Sequence, residues 1–589
     1  MSKPQNIRSS NKRIPAWATP ALYTLVALLI FGPLLGRGYI LTLDMIFTPT
    51  LRLPDHVGSS YLFHALLHYI NLVIPADVIQ KTILIVTFVL AGWGAHRLIR
   101  YTQQAAYRQQ NARSNYRNLG LVAGSCLYMI NPFTYERLMA GQYAVLLGYA
   151  LLPWFVHSLL TYVHKPSWAG ASRITLLVTI ISIVSIHTLG AVAIIVGIAA
   201  IGMLWRYGVR TTWQLYGRQM LGAMVAFALL SSYWLWPLLS GDSQNAQQIS
   251  NFGPGDRLAF ATSGETVIGK FIAILQLCGF WGEGHGLFTL PWDIFGPVWY
   301  PLSLLVLTII AAGLVSLWRL RPVLSAFWLV VIGVGAICAV GVFAGSWPSQ
   351  HSLLAGYREP QKFVMLVSLG YSISFAYGVA AVSASWSEVF SSRPARLTAG
   401  SISLALPFVW SLVMLWGAND QLAPRHYPEG WFKINNTLNR QASQSNPATP
   451  ATVFLPWHLY MSTDFAGRLI ANPAPDFFDS PVAISGNPEL SGASVDKPTA
   501  LNRQLDEILT KPAFRSHDHA PSAGTDPATV LFKLQRLGIR NIILAKDNDF
   551  REYLPLVNQP GVTLAEQTNS INLYHLQPVQ FTALTGVQL

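Results

Sequence analysis

Residues 17–44 read WATPALYTLVALLIFGPLLGRGYILTLD. Lys3, Arg8, Lys12 and Arg13 stand ahead of the apolar run, which extends from about Ala16 to Leu35. The run has the length of one membrane crossing. Gly36-Arg37-Gly38 follows it where a signal peptide would carry a small-x-small cleavage site. The segment therefore reads as a retained signal anchor. Beyond it comes Asp44, an acidic residue in an otherwise apolar stretch, and such a residue is costly beside lipid unless it pairs or binds something.

The rest of the chain has the same character. Of its 589 residues 52% are hydrophobic and 11% charged, against about a quarter charged in soluble domains. Nineteen Trp and 23 Tyr suit a protein with membrane interfaces, where amphipathic rings gather. The net charge of +13 would suggest a nucleic-acid partner if it lay on a soluble surface. It does not: residues 1–419 hold 26 Lys+Arg and 11 Asp+Glu, whereas residues 420–589 hold 13 and 15. The basic excess lies beside hydrophobic spans, where retention on the cytoplasmic side accounts for it. No nucleic-acid partner is expected.

Apolar segments of about crossing length fall near 17–36, 78–97, 119–131, 142–163, 174–187, 188–205, 220–239, 294–318, 325–345, 362–385 and 397–417. The expected fold is a polytopic α-helical membrane protein of about 11 spans (residues 1–419) followed by an extracytoplasmic α/β domain (residues 420–589). Residues 174–205 break at His187-Thr188-Leu189-Gly190. Residues 265–281 are too short to cross and carry Glu265 and Lys270, so an interfacial or re-entrant helix is expected there.

With the N-terminus inside, the loops holding Arg97 to Arg117, Lys165 and Arg173, Arg206 to Arg218, Arg319 and Arg321, and Arg393 and Arg396 all face the cytoplasm. That parity requires 174–205 to cross twice. It places the C-terminal domain outside. On this topology ten of the eleven carboxylates of the membrane part lie outside, with Glu388 the exception. The external set includes Asp44, Glu136, Asp256, Glu283 and Glu359. Acidic residues do little to set orientation, so the asymmetry points to a polar working site on the outer face.

In the C-terminal part, residues 441–450 read as a linker. Thr452–Leu455 reads as a buried strand, and 498–510 as a helix with Leu501, Leu505, Ile508 and Leu509 on one face. Asp526-Pro527 opens a helix that runs to Leu537 and ends at Gly538. Strands follow at Ile539–Ala545, 562–566 and 571–576. No phosphate-binding glycine loop, nucleophile elbow or metal-ligand motif is present in the domain. His517-Asp518-His519 sits in a polar run and reads as a solvated loop. Cys126, Cys278 and Cys338 each lie in apolar sequence and read as small buried hydrophobes.

Three segments carry candidate chemistry. The first is Gly38 to Pro49 with Asp44, for which a helix-capping role is the alternative. The second is Asn131-Pro-Phe-Thr-Tyr-Glu136-Arg137, where Asn-Pro breaks one helix and Glu136-Arg137 opens the next; a local ion pair is the alternative. If Glu136 faced Asp44 across a cavity, the pair could coordinate a divalent cation or take a proton from a hydroxyl. The third is Gly356-Tyr-Arg358-Glu359-Pro-Gln-Lys362-Phe. There Arg358 and Lys362 share a face if a helix starts at the Pro, suiting them to phosphate, with snorkelling to lipid headgroups as the alternative.

Together these segments resemble the GT-C superfamily of membrane glycosyltransferases. The Asn-Pro-Phe-x-Tyr-Glu-Arg and Arg-Glu-Pro-x-Lys-Phe segments look like those of YfhO-like and arabinofuranosyltransferase-like prokaryotic membrane proteins. The resemblance implies a glycosyltransferase that uses a polyprenyl-phosphate-linked sugar on the outer face of the membrane. It would build cell-envelope glycan or glycolipid on a glycan or lipid acceptor. Asp44 would be the catalytic base or a site-defining carboxylate, and Glu136 a metal or acceptor contact. Arg137, Arg358, Glu359 and Lys362 would hold the donor and its lipid phosphate. A divalent cation, Mg or Mn, is compatible with Asp44 and Glu136. The adjacent acidic pair of protein O-mannosyltransferases is absent, as is the Trp-Trp-Asp motif of oligosaccharyltransferases. Two other readings stay open: a transporter for lipid-linked glycan, and a non-catalytic cell-envelope binding or assembly protein.

Overall fold

The apolar segments are largely helical where described, as suits chains that must satisfy their backbone groups within one segment. A computed structural model describes residues 17–107, 114–341, 356–389, 393–442, 452–490, 500–510 and 526–577. His517-Asp518-His519 and most of the 441–450 linker lie outside the described residues. The helical part begins with α1 (Ala18–Phe31), α2 (Tyr61–Asn71), α3 (Ala76–Ala106), α4 (Ser114–Met129) and α5 (Pro132–Met139). It continues with α6 (Tyr143–His164), α7 (Trp168–Val184), α8 (Ile186–Thr212) and α9 (Arg218–Ser240). The short helices α10 (Gln244–Asn251), α11 (Pro254–Ala259), α12 (Val267–Leu275) and α13 (Pro291–Phe295) fill the next loop. Then come α14 (Trp299–Leu320), α15 (Pro322–Val340), α16 (Val364–Val389), α17 (Arg393–Trp410) and α18 (Leu415–Asn419).

Six of the described helical stretches are long and apolar enough to cross a membrane, or seven if the bent pair at 400–419 counts as one span. The helices Ala18–Leu34 and Trp168–Val184 are apolar but shorter. The break expected at His187–Gly190 lies slightly earlier. Ser185 is extended (φ −152°, ψ 105°) and its side chain caps α8 by accepting from the Thr188 N–H. The nine residues of α12 are too few to cross, and Val267, Ile268, Phe271 and Ile272 are exposed along it. This matches the short apolar helix expected at 265–281.

Helix α16 is the axis of the helical part and is buried along its whole apolar window. Glycine permits its closest approaches. A Cβ on Gly378 would stand 2.0 Å from the Ile309 carbonyl oxygen of α14, and one on Gly313 would stand 1.7 Å from that of Ser374. Without a strong hydrophobic drive between helices in lipid, such backbone contact is a main source of packing energy.

The C-terminal part forms a five-stranded mixed sheet. We number the strands β1 (Tyr39–Ile40), β2 (Pro424–Arg425), β3 (Thr452–Leu455), β4 (Tyr460–Thr463), β5 (Arg468–Ala471), β6 (Val482–Ala483), β7 (Asn541–Ala545), β8 (Val562–Gln567) and β9 (Ile571–Leu576). The sheet order is β6-β3-β7-β9-β8, with β6, β3 and β7 parallel. Strands and helices expected at 452–455, 526–537, 562–566 and 571–576 form, the helix expected over 498–510 is described from Ala500 to Leu509, and the strand ending at Ala545 starts at Asn541. The sequence reading missed the helix Glu429–Ala442 and the β4–β5 hairpin.

That hairpin joins the two parts. Leu43 N–H donates to the Leu469 carbonyl at 3.3 Å, and Ala471 N–H donates to the Leu43 carbonyl at 2.9 Å. Upstream, β1 pairs with β2. The loop that carries Asp44 is thus an added strand of the C-terminal domain, with its backbone groups paired across the seam.

Candidate functional site

Asp44 is positioned from two sides. On one side, the Thr42 hydroxyl donates to the Met139 carbonyl at 2.6 Å, and Asp44 N–H donates to the Ala140 carbonyl at 3.2 Å. Gly141 makes this contact possible. Its φ is +74°, and a Cβ there would stand 2.2 Å from Met45 N. On the other side, the Tyr460 hydroxyl of β4 donates to Asp44 Oδ1 at 2.7 Å. The Asp44 side chain is exposed to solvent. Burial raises its pKa above the ordinary carboxylate value, and the bond from Tyr460 opposes that rise.

Helix α5 starts as its sequence directs. Asn131 accepts from Thr134 N–H, Thr134 Oγ1 accepts from Asn131 N–H, and Pro132 occupies the first turn. The helix buries Glu136 and Arg137, which are 1% and 0% exposed. Arg137 Nη1 donates to Gln142 Oε1 at 2.8 Å and lies 3.6 Å from Glu359 Oε2. Its guanidinium sits 4.5 Å above the Phe280 ring centroid. Lys362 Nζ donates to Glu359 Oε1 at 2.8 Å, and Gln142 Nε2 donates to Glu359 Oε2 at 3.3 Å. Burial would raise the Glu359 pKa, but Lys362 and then Arg137 outweigh it and hold the carboxyl at about 2. Glu359 is therefore a fixed anion between two cations. Asp44 lies within electrostatic reach of both Glu359 and Lys362.

Comparison with protein-family models and with curated proteins gives no match. The chemistry of the site rests on its geometry.

That geometry brings Asp44, Arg137, Glu359 and Lys362 together and directs Arg358 elsewhere. Residues Pro360–Phe363 form a single 3-10 turn and Arg358 precedes it, so Arg358 and Lys362 do not share a helix face. Arg358 Nη1 lies 3.3 Å from Asp256 Oδ1, and its guanidinium packs 4.3 Å and 4.1 Å from the Phe252 and Phe260 ring centroids. Asp256 is itself fully buried.

Glu136 also has a different neighbour from the one expected. Its carboxylate groups with Cys278 and Glu283, whose donor atoms all lie within 4.8 Å of one another, and Asp44 is not in that set. Burial, and then Glu283, push the Glu136 carboxyl well above the ordinary range.

Arg137 lies within electrostatic reach of Glu359, Glu136, Glu283 and Asp44. These are four of the ten carboxylates expected on one side of the membrane. Tyr460 and Gln142 carried no signal in the sequence. A hairpin tyrosine is an ordinary residue until the fold carries it to a carboxylate 416 positions away. Cys278 read correctly as buried, but its two acidic neighbours could not be read from spacing.

Proposed function

We propose that this chain is a membrane-embedded glycosyltransferase that takes its sugar from a polyprenyl-phosphate carrier on the outer face of the membrane. Its acceptor would be a cell-envelope glycan or lipid. The observation that supports this reading most is the solvent-exposed Asp44 carboxylate, held by Tyr460 and within electrostatic reach of Lys362, Glu359 and Arg137. The topology that goes with it has a cytoplasmic N-terminus and about 11 crossings, with Asp44 and the C-terminal domain outside.

In the reaction an acceptor hydroxyl attacks the anomeric carbon while the bond from that carbon to the phosphate oxygen breaks. The polyprenyl phosphate leaves with the bonding electron pair, and the hydroxyl proton passes to Asp44. A phosphate carries its charge stably, so the leaving group needs no strong acid, and cations at the phosphate lower the barrier. Lys362 has three N–H donors and Glu359 takes one, leaving donors for the phosphate. Arg137 adds positive charge from behind. The raised pKa of Asp44 makes it a stronger base once it is ionised.

Native mass spectrometry of the detergent-purified protein tests the donor assignment. A co-purifying polyprenyl phosphate or its sugar-loaded form, lost in Lys362→Ala, is the expected result. Bulk phospholipid alone across repeated preparations would contradict it and favour a non-catalytic envelope-binding protein.

A further inference from the structure

Glu136 is a buried carboxyl with an unpartnered oxygen. It is 1% exposed, and its Oε1 has no hydrogen-bond partner. A buried ionised carboxylate without a partner costs several kcal/mol or more, so a proton or a cation must compensate it. Arg137 donates to Gln142, pairs with Glu359 and stacks on Phe280, and its Nε and Nη2 make no hydrogen bond to Glu136 or to any other group.

Two other donors converge on Glu136 from a separate segment. Cys278 is 1% exposed, and Glu283 follows it in the turn after α12. The Glu283 carboxylate is fixed in place, because its Oε1 accepts from the backbone N–H of Gly279 and, at 3.0 Å, from that of Phe280. Such outer contacts orient a ligand before an ion arrives.

We propose that Glu136, Cys278 and Glu283 bind a single zinc ion that pins the 276–285 turn to α5. The donor set selects the metal class. A thiolate disfavours Mg, Ca and Mn, while mixed sulfur and oxygen ligands suit zinc. Zinc–ligand distances of about 2.0–2.3 Å at tetrahedral angles separate neighbouring donors by about 3.5 Å. The donors here lie within 4.8 Å of one another, so side-chain rotations that close the gap by about an ångström would bring all three onto one ion, with water in the fourth position. The site is distinct from Asp44. Its effect there would be indirect, since Phe280 lies between the ligands Cys278 and Glu283 in sequence and carries the Arg137 guanidinium on its ring.

The test is elemental analysis of the full-length protein in detergent after dialysis against a weak chelator. About one zinc per chain is expected. Because losing an outer-shell partner alone weakens metal sites by about 10–100-fold, Cys278→Ser and Glu283→Gln should each lower zinc affinity by at least about tenfold. Cobalt added to chelator-stripped wild-type protein should give a thiolate-to-cobalt absorption band, which needs no variant to fold. Protein that takes up neither zinc nor cobalt, and whose Cys278 alkylates at the same rate with or without zinc, would overturn the proposal. A proton shared by Glu136 and Glu283 would then be the compensation. Metal content is read independently of glycosyl transfer, so either assignment can fail alone.

Discussion

The Tyr460 hydroxyl donates a 2.7 Å hydrogen bond to Asp44 Oδ1, joining the first loop of the helical part to the C-terminal domain. The domain is therefore part of the candidate site, and it supplies a group that tunes the exposed Asp44 carboxylate.

Tyr460→Phe removes that bond and leaves the ring. A hydrogen bond to a charged group is worth about 1.5–3 kcal/mol, so transfer should fall by roughly 10- to 100-fold at unchanged protein yield. The direction with pH is also fixed. Tyr460 holds the Asp44 pKa down against burial, so its loss raises that pKa. The acid limb of the rate profile should then move to higher pH. A variant with less activity and an unmoved acid limb would show that Tyr460 acts only on structure.

Arg137 is fully buried, and four carboxylates lie within its electrostatic reach. Removing one partner from such a set leaves uncompensated charge and costs about 3–5 kcal/mol. Arg137→Ala should therefore lower the melting temperature and the folded yield strongly in size-exclusion and thermal-melt measurements. Full thermal stability in that variant would contradict the ion network described.

The crossing of α14 and α16 gives a prediction on packing alone. Gly378→Leu places a side chain where even a Cβ would stand 2.0 Å from the Ile309 carbonyl oxygen. Overpacking costs about 1–3 kcal/mol or more, so a clear loss of thermal stability in detergent is expected. Gly333→Leu on α15, whose Cβ would meet nothing within 4 Å, should be tolerated and is the control.

His458 opens a window on pH. Its Nδ1 lies 2.5 Å from Glu489 Oε1 and its Nε2 lies 3.0 Å from Asp549 Oδ1. Burial alone would lower its pKa, but the bonds to Asp549 and Glu489 raise it to about 9. A histidine pKa raised on folding stabilises fully below its unfolded value of about 6.5, and that contribution is lost as pH rises through about 9. The melting temperature should therefore fall between pH 6.5 and 9.5 by a few degrees, about 2–4 °C per kcal/mol lost. His458→Gln should remove that part of the slope.

Much of the helical part was legible, because the need to bury backbone in lipid marks each segment by its apolar length. The small domain was legible where periodicity is strong, as in Leu501, Leu505, Ile508 and Leu509. The hairpin Tyr460–Ala471 was not, since four-residue strands with mixed burial give almost no periodic signal. Within the site, Asp44, Glu136 and Glu359 stood out among ten carboxylates expected on one side, but no spacing rule pairs residues from different loops. The grouping of Glu136 with Cys278 and Glu283 therefore carried no sequence signal. Arg358 left the Lys362 face because Pro360 begins a 3-10 turn behind it.

The most direct test of the account is transfer from polyprenyl-phosphate sugars by Asp44→Asn, an isosteric change that keeps a hydrogen-bond acceptor for Tyr460 and removes the base. Membranes carrying wild-type protein are screened against a panel of labelled donors, and the active donor is then offered to the variant. Loss of transfer by about 100-fold or more, with normal protein amount and retained carrier lipid, is the predicted result. Undiminished transfer by Asp44→Asn would contradict the catalytic role assigned to this carboxylate.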